Sequence, residues 1–233
     1  MPDYLLRGLT FSLPLRSVRG ALDQALSTGR YENQEAEALL AHLAPGDRFL
    51  DLGAGLGFLC ALAARVLGDT AVAGIEAGPE TITFASKNLA ANGFGGVRLF
   101  EGAAIGVGTE DTEWGVEFGI RPAFWASAMQ GPSGWPGNAQ VIAVPAWPIA
   151  TLLADFGPTV ICCGIEGAED EVLRQPLPGV RLVIVKFHPA VYGDKGVDRI
   201  SDALILQGFE PDAKGSRGAT VVFSRRLGDV QAP

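Results

Sequence analysis

The chain has 233 residues, of which 48% are hydrophobic and 19% are charged, so it can bury the core of one sizeable α/β domain. Its formal net charge of −8 and its pI of about 4.8 disfavour nucleic acids and anionic membranes as partners. No uninterrupted apolar run reaches the roughly 18 residues of a membrane span, so we expect no transmembrane helix.

Strands and helices are predicted to alternate over the first 100 residues. Apolar side chains at i, i+3, i+4 and i+7 predict an amphipathic helix over Glu32 to Leu43, and Pro45 and Gly46 end it. Short connections between alternating elements are typical of a parallel sheet covered by helices on both faces. In chain order the sequence predicts a strand at 48–52, a helix at 56–67, a strand at 70–76, a helix opened by Pro79 and a strand at 97–100.

The section from Gly102 to Pro148 interrupts this alternation. It holds all four tryptophans and a cluster of prolines and glycines, which predicts loops with a β-hairpin. The alternation then resumes with a strand at 159–165, a helix at 167–174, a strand at 180–188, a helix at 197–207 and a strand at 219–224. We therefore predict a lead-in of a hairpin and a helix at residues 1–45, packed on a main domain at 46–233 that carries an insertion at about 107–148.

The cysteines favour a reducing compartment. Cys162 and Cys163 are adjacent in an apolar run, and Cys60 lies in a predicted helix, so we expect buried thiols and not disulfides. The first residues include Asp3 and Arg7 and lack the apolar core of a signal peptide. Together these features predict a cytoplasmic protein.

A glycine-rich turn follows the first of the alternating strands. In FLDLGAGLGF, Gly53, Gly55 and Gly57 lie between a strand and a helix, where backbone N–H groups can approach a ligand closely. Glu76 ends the next parallel strand, a position from which a carboxylate can accept both hydroxyls of a ribose. This set predicts a pocket for an adenosine-containing cofactor. The alternative is a tight turn that only packs the strand against the helix.

Asp51 and Phe58 indicate which cofactor this pocket takes. A dinucleotide fingerprint G-x-G-x-x-G needs a glycine at position 58, where this chain has phenylalanine. The sequence reads D-x-G-x-G-x-G instead, which is typical of methyltransferases that use S-adenosylmethionine (SAM). A carboxylate at Asp51 suits a ligand that carries an ammonium and a sulfonium, and it would repel a pyrophosphate. We therefore predict SAM as the cofactor and disfavour an NAD-dependent oxidoreductase.

Three segments resemble the FkbM family of SAM-dependent methyltransferases. The first is FLDLGAGLGF followed by AGIEAGPETITFASKNLAANG, which contains the N-x-x-x-N of Asn88 and Asn92. The second is EGAAIG, and the third is ICCGIEGAEDEVL followed by LVIVKFHP. The likeness covers roughly Tyr31 to Phe209. The first segment is shared by most class I methyltransferases, whereas the EGAE segment is what indicates this family.

The resemblance implies a Rossmann-like class I methyltransferase fold, α/β, with a mostly parallel seven-stranded sheet and helices on both faces. It also implies O-methylation of a hydroxyl on a sugar or small-molecule metabolite, so the expected partner is a small-molecule hydroxyl acceptor. The cofactor-binding residues predicted from the turn and the resemblance are Asp51, Gly53, Ala54, Gly55, Gly57, Phe58, Glu76, Ala77 and Ala103.

Several polar residues that the family usually has near its acceptor are replaced. The usual aspartate of the fourth strand corresponds to Gly164, its usual lysine to Cys162, and the acid before F-H-P to Lys186. Deprotonation of the acceptor then passes to Glu166 or His188, the predicted catalytic side chains. The alternatives are a Glu166 that only complements a helix dipole and a structural His188.

These replacements bear on metal binding and on activity. Only two histidines exist and the strand-end aspartate is absent, so no metal site is predicted. A general base typically contributes about 10²–10⁴-fold, whereas positioning supplies roughly 7–11 kcal/mol, so transfer can survive the loss of one acid. The alternative function is a catalytically degenerate SAM-binding or interaction protein.

Overall fold

The structure is a computed structural model that describes residues 2–14, 20–106, 115–121, 127–129, 134–135 and 138–226. Its strands are β1 (Asp3–Leu6), β2 (Leu9–Ser12), β3 (Phe49–Leu52), β4 (Val72–Glu76), β5 (Arg98–Glu101), β6 (Ala103–Ile105), β7 (Val116–Ile120), β8 (Gln140–Val144), β9 (Ala146–Pro148), β10 (Val160–Cys163), β11 (Leu182–Lys186), β12 (Glu210–Arg217) and β13 (Thr220–Ser224). Its helices are α1 (Ala21–Ser27), α2 (Asn33–His42), α3 (Phe58–Leu67), α4 (Pro79–Ala91), α5 (Ile149–Phe156), α6 (Glu169–Leu173) and α7 (Pro189–Leu206).

Seven strands form the central sheet in the order β12-β13-β11-β10-β3-β4-β5. The five strands from β11 to β5 are parallel, whereas β13 runs antiparallel to β11 and to β12. The chain first places β4 and β5 on one side of β3, and later places β10 and β11 on the other side. The predicted α/β, Rossmann-like fold with a mostly parallel seven-stranded sheet is confirmed.

The core lies on both faces of this sheet. Strands β3 and β10 are fully buried and, apart from Asp51 in β3, apolar, as expected for parallel strands covered on two sides. Because side chains alternate along a strand, Phe49 packs with α2 and α3 on one face and Leu50 with α5 and α7 on the other. All three cysteines are buried and free, as predicted. No helix in the described ranges is long and apolar enough to cross a bilayer.

The amino-terminal hairpin of β1 and β2 is tied to α4. The amide oxygen of Asn88 accepts a hydrogen bond from Ser12 N–H at 2.9 Å, and that of Asn92 accepts one from Thr10 N–H at 3.0 Å. The Asn92 amide also donates to the Thr10 carbonyl at 2.7 Å. The N-x-x-x-N element of the resemblance therefore binds the hairpin backbone in this chain.

The section between β5 and α5 contains two further strand pairs. Strands β7 and β8 form an antiparallel hairpin, and β6 pairs in parallel with β9. The indole of Trp147 donates to the Glu101 carbonyl at 2.9 Å and its ring packs edge-on against Phe100. Trp114 and Trp125 lie outside the described residues.

Candidate active site

A cleft opens at the carboxyl ends of the parallel strands, where the chain switches from one side of β3 to the other. Ligands of open α/β sheets bind at this kind of switch point. The cleft holds about 720 Å³ of space, a figure that includes the part open to solvent. Its lining residues are Tyr31, Glu32, Gly53, Gly55, Ile75, Glu76, Ala77, Gly102, Ala103, Ala104, Phe118, Ser127, Met129, Gly164, Ile165, Glu166, Ala168 and Lys186.

The glycine turn forms one wall of the cleft. Gly53, Gly55 and Gly57 have φ values of 90°, 52° and 79°, a region that favours glycine. A Cβ on Gly53 would lie 2.5 Å from the Gly164 carbonyl oxygen, so this glycine also lets the ends of β3 and β10 approach each other. Gly57 lies off the cleft at the start of α3 and packs against Leu89. The turn therefore serves both packing and close approach to a ligand.

Glu76 lies on the cleft wall at the end of β4. Its Oε2 accepts a hydrogen bond from Gly55 N–H at 3.0 Å and its Oε1 accepts one from Gly78 N–H at 2.8 Å. Burial raises the pKa of Glu76 to about 7, against the opposing effect of the backbone hydrogen bonds. Each carboxylate oxygen can accept further hydrogen bonds, so the group can brace the turn and still bind ligand hydroxyls.

The rest of the cleft wall near the glycine turn and Glu76 is apolar. Ala77 and Ala103, both predicted cofactor residues, line the cleft together with Phe118. Ala103 and Phe118 belong to one small core cluster, and Ala77 and Met129 pack against it. An apolar wall next to a hydrogen-bonding carboxylate suits a nucleoside, which has a flat ring and a polar sugar.

Four predicted cofactor residues do not line the cleft. Ala54 and Gly57 lie in the turn behind it, and the Phe58 ring packs in the core against Phe11 and Tyr31. Asp51 is only 2% exposed, and its carboxyl lies 3.6 Å from the Cys60 sulfur.

The predicted role of Asp51 as a charged partner of the cofactor stays a prediction. Burial, reinforced by the nearby Glu76 and Glu35 and opposed by the Cys60 hydrogen bond, raises the pKa of Asp51 to about 8. Its burial has a geometric reason, because Asp51 lies inside the buried strand β3 and not in the turn itself.

The other half of the cleft is formed by the ends of β10 and β11 and by the residues before α2. Gly164 and Lys186 are neighbours there, since a Cβ on Gly164 would lie 3.6 Å from Lys186 Cβ and 3.8 Å from its Cδ. Glu32 and Glu166 have φ values of 46° and 50°, which are strained for residues other than glycine. Such strain is typical of functional positions.

His188 is held between two carboxylates behind the cleft. Its Nδ1 is 2.7 Å from Glu169 Oε1, and its Nε2 is 3.1 Å from Glu166 Oε1, within ion-pair distance but without good hydrogen-bond geometry. Burial opposes a charge on the ring, but the two carboxylates outweigh it and raise the pKa of His188 to about 9. His188 is thus an imidazolium at neutral pH and does not line the cleft. This argues against its predicted role as a base.

The Glu169 side chain stabilises the turn of the EGAE segment through hydrogen bonds to backbone N–H groups. Its side chain is fully buried, and its oxygens accept hydrogen bonds from Ile165 N–H at 2.9 Å and Gly167 N–H at 2.7 Å. The same carboxylate binds His188, which in turn contacts Glu166. Glu166, at the end of these contacts, lies on the cleft wall, whereas His188 does not.

Sequence reasoning missed three polar residues of this half. Tyr31 and Glu32 line the cleft, and burial raises the pKa of each well above its ordinary value. No pattern in the sequence indicates that the chain turns toward the cleft just before α2. Lys186 was noted only as a departure from the resemblance, and that departure was the signal that could have found it.

Comparison with known proteins gives a partial family match. The model of a family described as a methyltransferase domain matches residues 43–108, which include the glycine turn, Glu76 and Ala103. The segment that carries the glycine turn and Glu76 is thus similar to a methyltransferase domain, and this similarity supports S-adenosylmethionine as the cofactor. The narrower resemblance to the FkbM family remains a prediction.

Two curated relatives match over short segments. The arsenite methyltransferase of Halobacterium salinarum is 49% identical over 53 residues, which are 22% of this chain and 14% of that protein. The ribosomal protein L11 methyltransferase of Thermus thermophilus is 42% identical over 71 residues, 30% of this chain and 27% of that protein. The matches thus span about a seventh and about a quarter of these relatives.

A solved structure is similar over the whole chain. The ribosomal protein L11 methylase of Lactobacillus delbrueckii subsp. bulgaricus aligns with a TM-score of 0.51 at 16% identity, and covers 95% of this chain and 96% of that one. At this identity the likeness concerns the fold alone, and it supports the α/β fold described above.

Proposed function

We propose that this chain is a SAM-dependent methyltransferase that methylates a hydroxyl oxygen of a sugar or other small-molecule metabolite. The observation that carries the proposal is the Glu76 carboxylate, held on the cleft wall by the N–H groups of Gly55 and Gly78. The methyltransferase match over residues 43–108 supports it. The hydroxyl acceptor comes from the resemblance of the EGAE segment.

The residues of the first half fit this cofactor. Glu76 would accept the two ribose hydroxyls, Gly53 and Gly55 would let the backbone approach it, and Ala77 and Ala103 would contact the adenine. Bulky side chains at the two glycines are disfavoured by their positive φ. When bound, the cofactor supplies a methyl carbon that is activated for displacement by a sulfonium.

The second half of the cleft would bind and orient the acceptor. Glu166 lies on the wall, and only its Oε1 has an ion-pair partner in the described part of the chain. Its other oxygen is available to accept a hydrogen bond from the acceptor hydroxyl and to take its proton. His188 touches neither ligand and is a positioning residue, because it links Glu166 to the buried Glu169.

A catalytically degenerate SAM-binding protein is the second candidate. It is favoured by Gly164, where the resemblance implies an acid, and by Lys186, which lies beside it. Since orientation alone supplies roughly 7–11 kcal/mol to a bimolecular reaction, the loss of this acid does not by itself remove activity.

Two measurements test the proposal. Calorimetry with SAM and with its demethylated product should show binding by the full chain. Transfer of a labelled methyl group to a panel of sugars and hydroxylated metabolites should then show turnover that Glu166→Gln reduces by about 10²-fold or more. Glu210→Gln is the matched control, because Glu210 is exposed on β12 outside the cleft. Binding without any turnover would favour the degenerate protein, and absence of binding would refute both candidates.

A further inference from the structure

A second, polar pocket adjoins the cleft at its acceptor end. The two share Glu32 and Lys186, whereas Glu76 lines only the cleft. The wall of this pocket comes from the residues before α2, the first turn of α2 and the ends of β11 and β12. Its lining residues are Arg30, Glu32, Asn33, Gln34, Glu35, Lys186 and Arg217.

Three cations of this pocket form no ion pair among the described residues, although the charge of Lys186 acts on the nearby Glu32 carboxyl. Within the described ranges, no ion pair or hydrogen bond involves the side chains of Arg30, Lys186 or Arg217. Four other arginines each lie within 4 Å of an aspartate, namely Arg98, Arg174, Arg181 and Arg199. Since these three cations have no ion-pair partner in the described part of the chain, the pocket can receive an anionic group from a ligand.

The acids of the pocket do not cancel this positive charge. Glu35 is only 6% exposed, and it accepts a hydrogen bond from the Thr220 hydroxyl at 2.8 Å. Burial, followed by the charges of Asp51 and Glu35, raises the pKa of Glu32 well above its ordinary value and favours its neutral form, although Lys186 opposes the shift. The remaining lining groups are the amides of Asn33 and Gln34, which can donate hydrogen bonds.

We propose that this pocket binds an anionic group of the methyl acceptor, a carboxylate or a phosphate, through Arg30, Lys186 and Arg217. The inference rests on the proposed function, since it concerns the second substrate of the same site. Guanidinium groups pair with both anions through two parallel hydrogen bonds, and the lysine adds a point charge. Because Lys186 lines both spaces, an acceptor anchored in the pocket would extend into the cleft toward Glu166.

Anion binding is tested with inorganic phosphate and with acetate as separate probes, each titrated into the ¹⁵N-labelled full chain and followed by chemical shift. The double variant Arg30→Gln/Arg217→Gln should bind the preferred probe about tenfold more weakly or worse. The matched control is Lys195→Gln, because Lys195 is exposed on α7 and does not line the pocket. The stronger probe shows which anion the pocket prefers.

A second variant acts from the cleft side. In Gly164→Asp the new carboxylate starts from a Cβ that lies 3.6 Å from Lys186 Cβ, so it can pair with the ammonium and compete with the ligand. It should also weaken probe binding, whereas Gly164→Ala, which adds no charge at an ordinary contact distance, should not. Agreement between these variants and the double variant would support the pocket even where one of them is unstable.

The outcomes separate the inference from the proposed function. The full chain saturated with SAM should bind the probe as tightly as the free chain, and the double variant should keep its SAM affinity. Competition between SAM and the probe, or a tenfold loss of SAM affinity in the double variant, would assign the pocket to the carboxylate of the cofactor and overturn the inference. Equal probe binding by the wild type and the double variant would also overturn the inference. A chain that binds phosphate or acetate but not SAM would instead refute the proposed function.

Discussion

Removing the Glu76 carboxylate should weaken SAM binding more than any other single change on the nucleoside side of the cleft. Glu76→Ala deletes the acceptor of the ribose hydroxyls and releases the N–H groups of Gly55 and Gly78. Hydrogen bonds to charged groups contribute about 1.5–3 kcal/mol, which corresponds to a loss of affinity of roughly 10- to 150-fold. Gly55 lines the open cleft, where water can satisfy its released N–H group, so the fold should survive.

Calorimetric titration with SAM at pH 8 measures this loss. That pH lies above the pKa of Glu76, about 7, so the wild-type carboxylate is ionised. Because ribose hydroxyls donate to the ionised form, wild-type affinity should also fall as the pH drops below 7, by at most about tenfold per unit. Glu76→Gln should lose this pH dependence, and Glu210→Ala should behave as wild type. An affinity of Glu76→Ala within twofold of wild type would refute the assignment of the ribose site.

Three further predictions concern stability and positioning. Gly53→Ala should lower the Tm more than Gly68→Ala, because both glycines have positive φ but only at Gly53 would the Cβ meet backbone, at 2.5 Å. The raised pKa of Asp51, about 8, means that the folded chain holds this proton more tightly than the unfolded chain. Thermal stability should therefore fall as the pH rises from about 4 to about 8, less so in Asp51→Asn. His188→Gln should lower kcat and leave the KM for SAM unchanged, and its pH profile should no longer show a group that titrates near 9. Melting curves and initial rates against pH check these three outcomes.

The sequence was sufficient for the elements whose patterns are local. Hydrophobic periodicity located the parallel strands and the helices between them, and the spacing from the glycine turn to Glu76 located the cofactor half of the cleft. Helix α5 was not predicted, although it is amphipathic, because it lies between the section interpreted as loops, which ends at Pro148, and the strand predicted from 159, where no element was assigned. Strand β12 was also not predicted from its pattern, since it is polar and forms the edge of the sheet.

The acceptor half depends on contacts between distant segments, which a sequence pattern does not record. Glu32 reaches the cleft because it adopts a positive φ before α2, and Lys186 does so from β11, more than 150 positions later. The burial of Asp51 also could not be predicted from the sequence. The motif places an acid next to the turn, but only the burial of β3 shows that its side chain lies below the cleft floor.

The two departures from the family resemblance, Gly164 and Lys186, have a common explanation. An aspartate at position 164 would lie beside Lys186 and neutralise it, whereas with glycine there the lysine ammonium forms no ion pair among the described residues and lies between the cleft and the polar pocket. An isolated loss of a catalytic acid gives no reason for a cation to replace a second acid nearby. A change of acceptor does give one, because an anionic substrate would be repelled by the two carboxylates that the resemblance implies and attracted by Lys186. We therefore interpret Gly164 and Lys186 as a coupled change in substrate charge, and this interpretation favours an active methyltransferase over a degenerate one.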